Sequence, residues 1–280
     1  MDNFSTDITY LKSLELFPMQ NHVDDFLSFP RPYHILSFIA EGNVIFETGD
    51  VNIKLSAGDI VFIPQGTTYS SVWSGNIIHC ISLFFSVKSN STKFCNKKFP
   101  LQKIENCEHL LEHFVYINEK REQSPFLSIG RFYELLEKIS EHLSYTDVPL
   151  IDARIKVAVD YIDNHYVSDF GIEELAKLSH MSTPNFYRCF KRDTGVSPLK
   201  YKNNALITAA IMLLSNNHNM SIEEISIKLG FKSAAYFRRL FKETVGKTPS
   251  EYRKTEFNAA PSHHSTSKTP DCLKSNSIAE

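Results

Sequence analysis

Between residues 33 and 87, apolar positions alternate with polar ones or run together in short blocks. The blocks are Tyr33–Ala40, Asn43–Thr48, Val51–Leu55, Ile60–Ile63, Thr68–Trp73 and Ile77–Val87. Turn-forming residues separate them at Glu41-Gly42, Gly49-Asp50, Gly58-Asp59, Pro64–Gly66 and Ser74–Asn76. Short strands at this spacing predict an antiparallel sandwich or barrel. From Ile104 the period changes to apolar residues three and four apart. Ile104–Lys120 and Pro125–His142 are therefore expected as amphipathic helices that close a first domain, residues 1–144. Tyr145–Asp152 reads as a linker with Pro149 as its breaker. Residues 153–255 are helical by period throughout. The polar composition that follows predicts a disordered tail over 256–280.

The helical third contains a repeat. Ile172-Glu-Glu-Leu-Ala, Met181, Phe186-Tyr-Arg-Cys-Phe-Lys191, Gly195-Val-Ser-Pro198 and Tyr201 recur as Ile222-Glu-Glu-Ile-Ser, Phe231, Phe237-Arg-Arg-Leu-Phe-Lys242, Gly246-Lys-Thr-Pro249 and Tyr252. The second copy carries one extra turn residue. A repeat of this detail marks a duplicated supersecondary unit. Each copy places one apolar face on a short helix (Ile172, Leu175, Ala176; then Ile222, Ile225, Ser226). A second helix follows with apolar residues at i, i+3 and i+4 (Phe186, Cys189, Phe190; then Phe237, Leu240, Phe241). Ser221-x-x-Glu224 is a capping box, and Ser197-Pro198 and Thr248-Pro249 are N-caps followed by proline. Gly230 suits the tight turn between helices, where the first copy has His180, a less comfortable residue.

With those faces buried, the second helix of the first copy turns Thr183, Pro184, Asn185, Tyr187, Arg188 and Lys191 outward. Its counterpart turns out Ser233, Ala234, Ala235, Arg238, Arg239 and Lys242. Small and polar residues beside arginine suit a helix that enters the major groove, because arginine can donate two bonds to guanine O6 and N7. Lys191 and Lys242, near the helix ends, are better placed for phosphates.

Charge agrees with this division. Residues 1–150 carry 12 Lys and Arg against 18 Asp and Glu, and residues 151–255 carry 16 against 11. The net charge of −2 therefore hides an acidic front and a basic back, as expected of a sensor joined to a polyanion binder. Five widely spaced cysteines without a Cys-x-x-Cys pair argue against both a disulfide framework and a zinc site. The acidic N-terminus does not read as a signal peptide, and no apolar run is long enough to span a bilayer, so the cytoplasm is expected.

The helical segment resembles the DNA-binding domain of the AraC/XylS regulators, with residues 221–253 a close match to that family's signature. The resemblance implies seven helices and a long connector, here Leu199 to Leu214, joining the two hairpins. At roughly 1.5 Å per residue this connector would let both second helices meet one side of a duplex, about one turn apart. It also implies a sequence-specific transcription regulator acting on promoter DNA, a small-molecule effector with a sugar among the candidates, a homodimer, and contact with RNA polymerase if it activates. Leu206 stands where many members carry arginine, and Ser226 where alanine is usual, so contacts made at those positions elsewhere do not transfer.

In the front half, Gly58, Pro64, Gly66 and Tyr69 resemble the second motif of the cupin barrels, with Tyr69 in place of a metal-binding histidine. A first-motif histidine pair is missing, since His34 stands alone. The expected fold is thus α+β in two domains: a cupin-like antiparallel barrel with trailing helices, then an all-α double helix-turn-helix. The barrel is read as a sensor with no catalytic residues, no metal and no cofactor. Arg31, Tyr69, Trp73 and His79 are the effector-binding candidates, aromatic faces suiting sugar C–H surfaces. For His79 a hydrogen-bonded core role competes with ligand contact, as do a surface role for Arg31 and a core role for Trp73. For the two trailing helices, packing on the barrel competes with dimerisation. Two other classes remain: a cupin isomerase or dioxygenase, which needs a divalent metal, and a helical protein-interaction module, which predicts no salt-dependent DNA binding.

Overall fold

The computed structural model describes residues 8–27, 31, 33–49, 51–87, 94, 97–147, 151–216 and 219–259. The chain separates into two compact units, Met1–Asp147 and Val148–Asn258.

The first unit is built on an antiparallel sheet of β1 (Ile8–Met19), β2 (His22–Asp25), β3 (His34–Thr48), β4 (Val51–Ser56), β5 (Ile60–Ile63), β6 (Ser70–Val87) and β8 (Gln102–Ile104). A separate two-stranded ribbon joins β7 (Lys97–Lys98) to β9 (Thr146–Asp147). The main path runs β1-β6-β3-β5-β8, with β2 on β6 and β4 on β3. Its end strands do not pair, so among the described residues the expected barrel is an open sheet. Closure needs hydrogen bonding between the first and last strands; here a pair of helices covers one face instead.

Two expected turns are bends within strands. β3 and β6 each run unbroken past Gly42 and Gly75 and pair from His34↔Phe85 to Glu47↔Ser70, with irregularities around Glu41. Gly42 has φ +90° and Gly75 φ +150°. A Cβ on Gly75 would sit 3.1 Å from the Gly42 Cα, and one on Gly42 would sit 3.0 Å from the Ile77 carbonyl oxygen. Facing glycines at a bulge allow a long strand pair to bend without ending it. The N-terminal strands β1 and β2 were not expected; both add to the free edge of β6, β1 from Ile8↔Val87 and β2 from His22↔Trp73.

Helices α1 (Leu111–Lys120) and α2 (Pro125–Ser140) close the unit. The helix expected from Ile104 begins later. Residues 102–104 pair with β5 as β8, Asn106 adopts φ +56°, and a 3-10 turn over Glu108–Leu110 precedes α1. Inward positions of alternate strand residues (Leu36, Phe38, Phe62, Leu83, Phe85) pack on Phe114, Ile117, Phe132 and Leu135 of the helices. Phe126, Leu127 and Ile129 at the start of α2 remain exposed.

His34 lies inside this core, its ring against Phe62, Phe85 and Phe94. Its Nδ1 accepts the Gln65 backbone N–H at 3.1 Å, which requires that nitrogen to be unprotonated. Burial pushes its pKa down to about 4.

The second unit contains α3 (Ala153–His165), α4 (Ile172–Leu178), α5 (Thr183–Thr194), α6 (Pro198–Asn216), α7 (Ile222–Lys228), α8 (Ala234–Val245) and α9 (Pro249–Ala259). Helix α3 packs Ile155, Ala158, Val159 and Ile162 against Leu175, Ala176, Phe186, Cys189 and Phe190 of the first hairpin. Asp152 caps α3 by accepting the Arg154 backbone N–H at 3.0 Å. Because α9 continues to Ala259, the first residues of the expected tail are helical; residues 260–280 lie outside the described residues.

The His34 geometry makes the first unit acid-labile. Its folded pKa lies below the ordinary value near 6.5, so the unfolded chain takes up the proton first. Stability is complete above pH ~6.5 and is lost as pH falls toward about 4, by roughly 3 kcal/mol over that window. Thermal midpoints read from the single tryptophan, Trp73, should fall across it. His34→Asn, which keeps an acceptor for Gln65 without titrating, should flatten the slope while lowering overall stability. An unchanged slope in that variant would exclude His34 as the titrating group.

Candidate nucleic-acid interface and effector site

The two hairpins are built alike because their turns are. Residues 179–182 join α4 to α5, and residues 229–233 join α7 to α8. In each turn the chain leaves the first helix through a residue of positive φ, His180 at +51° and Gly230 at +72°. The same pair of bonds closes both: His180 N–H to Lys177 O and Met181 N–H to Ala176 O, then Gly230 N–H to Ile227 O and Phe231 N–H to Ser226 O, all 2.9–3.0 Å. The chain then re-enters a helix at Ser182 or Ser233. The Ser233 hydroxyl accepts the Tyr236 N–H at 3.4 Å, whereas Ser182 makes no side-chain cap bond.

Gly230 does more than turn. A Cβ there would lie 2.8 Å from the Val167 carbonyl oxygen in the loop after α3, so the second turn is pressed against backbone that leads into the first hairpin. Lys232 pairs with Asp169 of the same loop at 3.3 Å. The duplicated ends match as well, with Gly195 and Gly246 at φ +77° and +75°. The expected capping box on α7 is present, Ser221 Oγ accepting from Glu224 N–H while the Glu224 carboxylate accepts from Ser221 N–H. Thr248 and Glu251 make the same reciprocal pair at α9.

Phe186, Cys189 and Phe190 are buried on α5, and Phe237, Leu240 and Phe241 on α8. The opposite faces hold the residues expected there. Pro184, Tyr187, Arg188 and Lys191 are exposed, with Thr183 and Asn185 half-buried. Ser233, Ala235, Arg238, Arg239 and Lys242 are exposed, with Ala234 half-buried. Arg188 donates to Asn185 Oδ1 at 2.9 Å, one turn back along α5. The matched Arg239 sits over the ring of Tyr236, also one turn back, at 5.4 Å, and lies 3.8 Å from Glu243. Each guanidinium is thus guided by the residue three positions before it, in α5 by hydrogen bonding and in α8 by a cation–π contact. Tyr236 escaped the sequence reading because it aligns with Asn185, which shares none of its chemistry. Leu206 and Ser226, the two departures from the family pattern, are buried.

In the first unit, three of the four effector candidates fall in one aromatic group. Arg31 lies over the Phe26 ring at 3.9 Å and donates to Tyr33 Oη at 3.2 Å. Phe26 contacts Tyr69, Tyr69 contacts Phe46, and Phe46 contacts Trp73, with centroids 5.1, 5.6 and 6.1 Å apart. The Trp73 indole N–H lies 3.1 Å from Asp24 Oδ2 and 3.0 Å from Ser71 Oγ, and His22 stacks on the indole. Strand β2 delivers His22 and Asp24, with Phe26 just beyond it. Sequence reasoning missed all three because it did not expect that strand: polar His22 and Asp24 are half-buried while apolar Val23 is exposed, the reverse of the pattern that marks a strand.

The fourth candidate, His79, has other partners. It is buried, its Nε2 lies 2.9 Å from Glu15 Oε1 of β1, and its ring contacts Phe17. Glu15 also accepts from Asn118 Nδ2 of α1 at 2.7 Å. The His79 hydrogen bond holds the Glu15 carboxyl below the usual range, against the effect of burial. Of the two readings of His79, the structure thus favours the hydrogen-bonded core residue. Ser37 and Ser82 bond each other at 2.7 Å, and burial pushes the neighbouring Cys80 thiol up to about 11, keeping it protonated and unreactive. Among the described residues no three His, Cys, Asp or Glu side chains are grouped to hold a metal, and no helix is long and apolar enough to cross a membrane.

Two matched helix-turn-helix units with basic outer faces define a DNA-binding transcription regulator. A family profile described as a helix-turn-helix domain matches residues 175–255. The chain is 25% identical to the Msm operon regulatory protein of Streptococcus mutans over 80% of its own length and 85% of that protein. It is 31% identical to the arabinose operon regulatory protein of Escherichia coli over 46% of its length and 44% of that protein. ToxT of Vibrio cholerae shares the fold, with TM-score 0.58 and 17% identity over 87% of this chain and 97% of ToxT. The helix-turn-helix segment is of the AraC type, and the Msm and arabinose proteins it matches are named as operon regulators.

Gly195 and Gly230, both at positive φ, differ in surroundings, and their alanine variants should differ accordingly. Gly195→Ala meets open space and should cost about 1–2 kcal/mol for the left-handed backbone alone. Gly230→Ala must in addition displace the Val167 carbonyl and should cost more. Urea denaturation followed by far-ultraviolet circular dichroism measures both; equal costs would mean that the close approach to Val167 is not tight.

Proposed function

We propose that this chain is an effector-responsive regulator that reads specific promoter sequences with α5 and α8 in the major groove. The observation that carries this is the matched exposure of Arg188 and Arg239 on helices whose opposite faces are sealed in the core. Arg188, Arg239 and their small neighbours Pro184, Ala234 and Ala235 would meet base edges, and Lys191 and Lys242 the phosphates. On this reading residues 153–255 are the DNA-binding domain and residues 1–144 a cupin-like sensor. The protein acts in the cytoplasm as a homodimer, for which the exposed Phe126, Leu127 and Ile129 offer an apolar surface, and it meets RNA polymerase where it activates.

The effector we favour is a sugar. An indole face beside a carboxylate and a hydroxyl (Trp73, Asp24, Ser71) offers a stacking surface and hydroxyl-directed acceptors in one place. Names among the relatives point the same way: arabinose operon regulatory protein and, from Staphylococcus xylosus, lactose operon transcription activator. An effector shifts such a protein only by binding one of its arrangements better than another.

Arg188→Ala and Arg239→Ala should each weaken binding to a duplex selected from a random pool by about 1–3 kcal/mol and relax base preference under their helix. Unchanged footprints in both variants would end the assignment. A thermal-shift series with pentoses, hexoses, disaccharides and fatty acids should show stabilisation by a sugar that Asp24→Asn abolishes. A sugar shift retained in full by that variant would move the effector elsewhere.

A further inference from the structure

The repeat is not symmetric in its charges. Glu223, in the first turn of α7, forms an ion pair with Arg238 of α8, their side chains 57% and 45% exposed. Its neighbour Glu224 is occupied in the capping box, so of two consecutive carboxylates one closes the helix start and the other faces the recognition helix. In the first hairpin the matched positions hold Glu173 and Tyr187, and a tyrosine offers no cation to a carboxylate. The second hairpin therefore presents two adjacent arginines in different states. Arg239 lies over Tyr236 with a longer contact to Glu243, whereas Arg238 already has a carboxylate partner.

We infer that Glu223 is a specificity-determining residue, a reading that rests on the DNA-binding assignment above. By neutralising Arg238 it removes one cation from the sequence-independent attraction to phosphates. Non-specific affinity comes almost wholly from such cations. A carboxylate that holds one of them lowers binding to every wrong sequence. A site that places guanine O6 and N7 opposite α8 offers Arg238 two directed acceptors in exchange. The pair is half exposed and weak, so a correct site can open it while a diffuse phosphate field gains little. Glu223 acts through Arg238 and touches no base itself.

The test compares Glu223→Gln with Glu173→Gln, which removes the same charge at the matched position of the other hairpin. Each full-length variant is titrated with two duplexes, one selected from a random pool by the wild-type chain and one of scrambled sequence. Releasing Arg238 should add about one phosphate contact on the scrambled duplex. The log–log salt slope there should steepen by about 0.9, or about threefold more affinity lost between roughly 50 and 200 mM salt. Binding to the selected duplex should change less, so the ratio of the two affinities narrows, and Glu223→Asp should restore it. Glu173→Gln should leave the ratio unchanged, as should Glu223→Gln in an Arg238→Ala background. Equal effects of the two glutamine variants, or an unaltered scrambled-duplex slope in Glu223→Gln, would overturn this role while leaving DNA binding intact. Wild-type protein with no salt-dependent duplex binding would instead overturn the DNA-binding assignment itself.

Discussion

A helix of about three turns has room for one buried face, and in α5 and α8 that face is fixed by aromatic residues at i and i+4 with a smaller apolar residue between them. Phe186 with Phe190, and Phe237 with Phe241, are fully enclosed. Truncating a buried phenylalanine to alanine costs about 3–5 kcal/mol, so neither helix can rotate about its axis without losing most of what holds it. Everything functional follows from that lock. The arginines are outside because the phenylalanines are inside. The tight turn before each helix then sets its angle, and Gly230 against the Val167 carbonyl ties the second turn to the loop leading into the first hairpin.

The first unit solves a different problem, burying a sheet that bends. One face is closed by α1 and α2 through a phenylalanine-rich core that also encloses His34. The bend comes from Gly42 facing Gly75, where the absence of side chains lets two long strands change direction together. Beyond the bend, β2 joins the edge of β6 and brings Asp24 and His22 to Trp73. The N-terminal segment thereby supplies polar groups to the aromatic cluster around Trp73, while β1 is tied by Glu15 to both His79 and Asn118.

Much of this was legible beforehand, and the failures share a cause. The repeat, its caps, the extra residue in the second turn and the outward residues of both recognition helices follow from contacts within a dozen residues of sequence. Gly42 and Gly75 read as turns because a lone glycine carries the same local signal whether the chain reverses or merely bends. The stretch from residue 104 read as helix because Ile104, Cys107 and Leu111 fall at i, i+3 and i+7, although Ile104 is buried as the end of a strand. The hydrogen-bond partner of His79, Glu15, is 64 positions away, beyond the reach of any local pattern. The expected barrel is open because strand closure is a property of the whole sheet.

Read along the chain alone, the helical half is already specified: a duplicated hairpin, its buried stripe and its charged face. Helix periodicity and capping are short-range physics, and a short-range code can be read along a line. Three-dimensional packing sets which strand lies beside which, that Asp24 meets Trp73, that His79 bonds Glu15, and that Arg238 is held by Glu223 while Tyr187 occupies its place in the other hairpin. Those pairings join residues far apart in the chain or on different helices. Their partners are chosen by the packing of whole elements, and local composition carries no record of that choice.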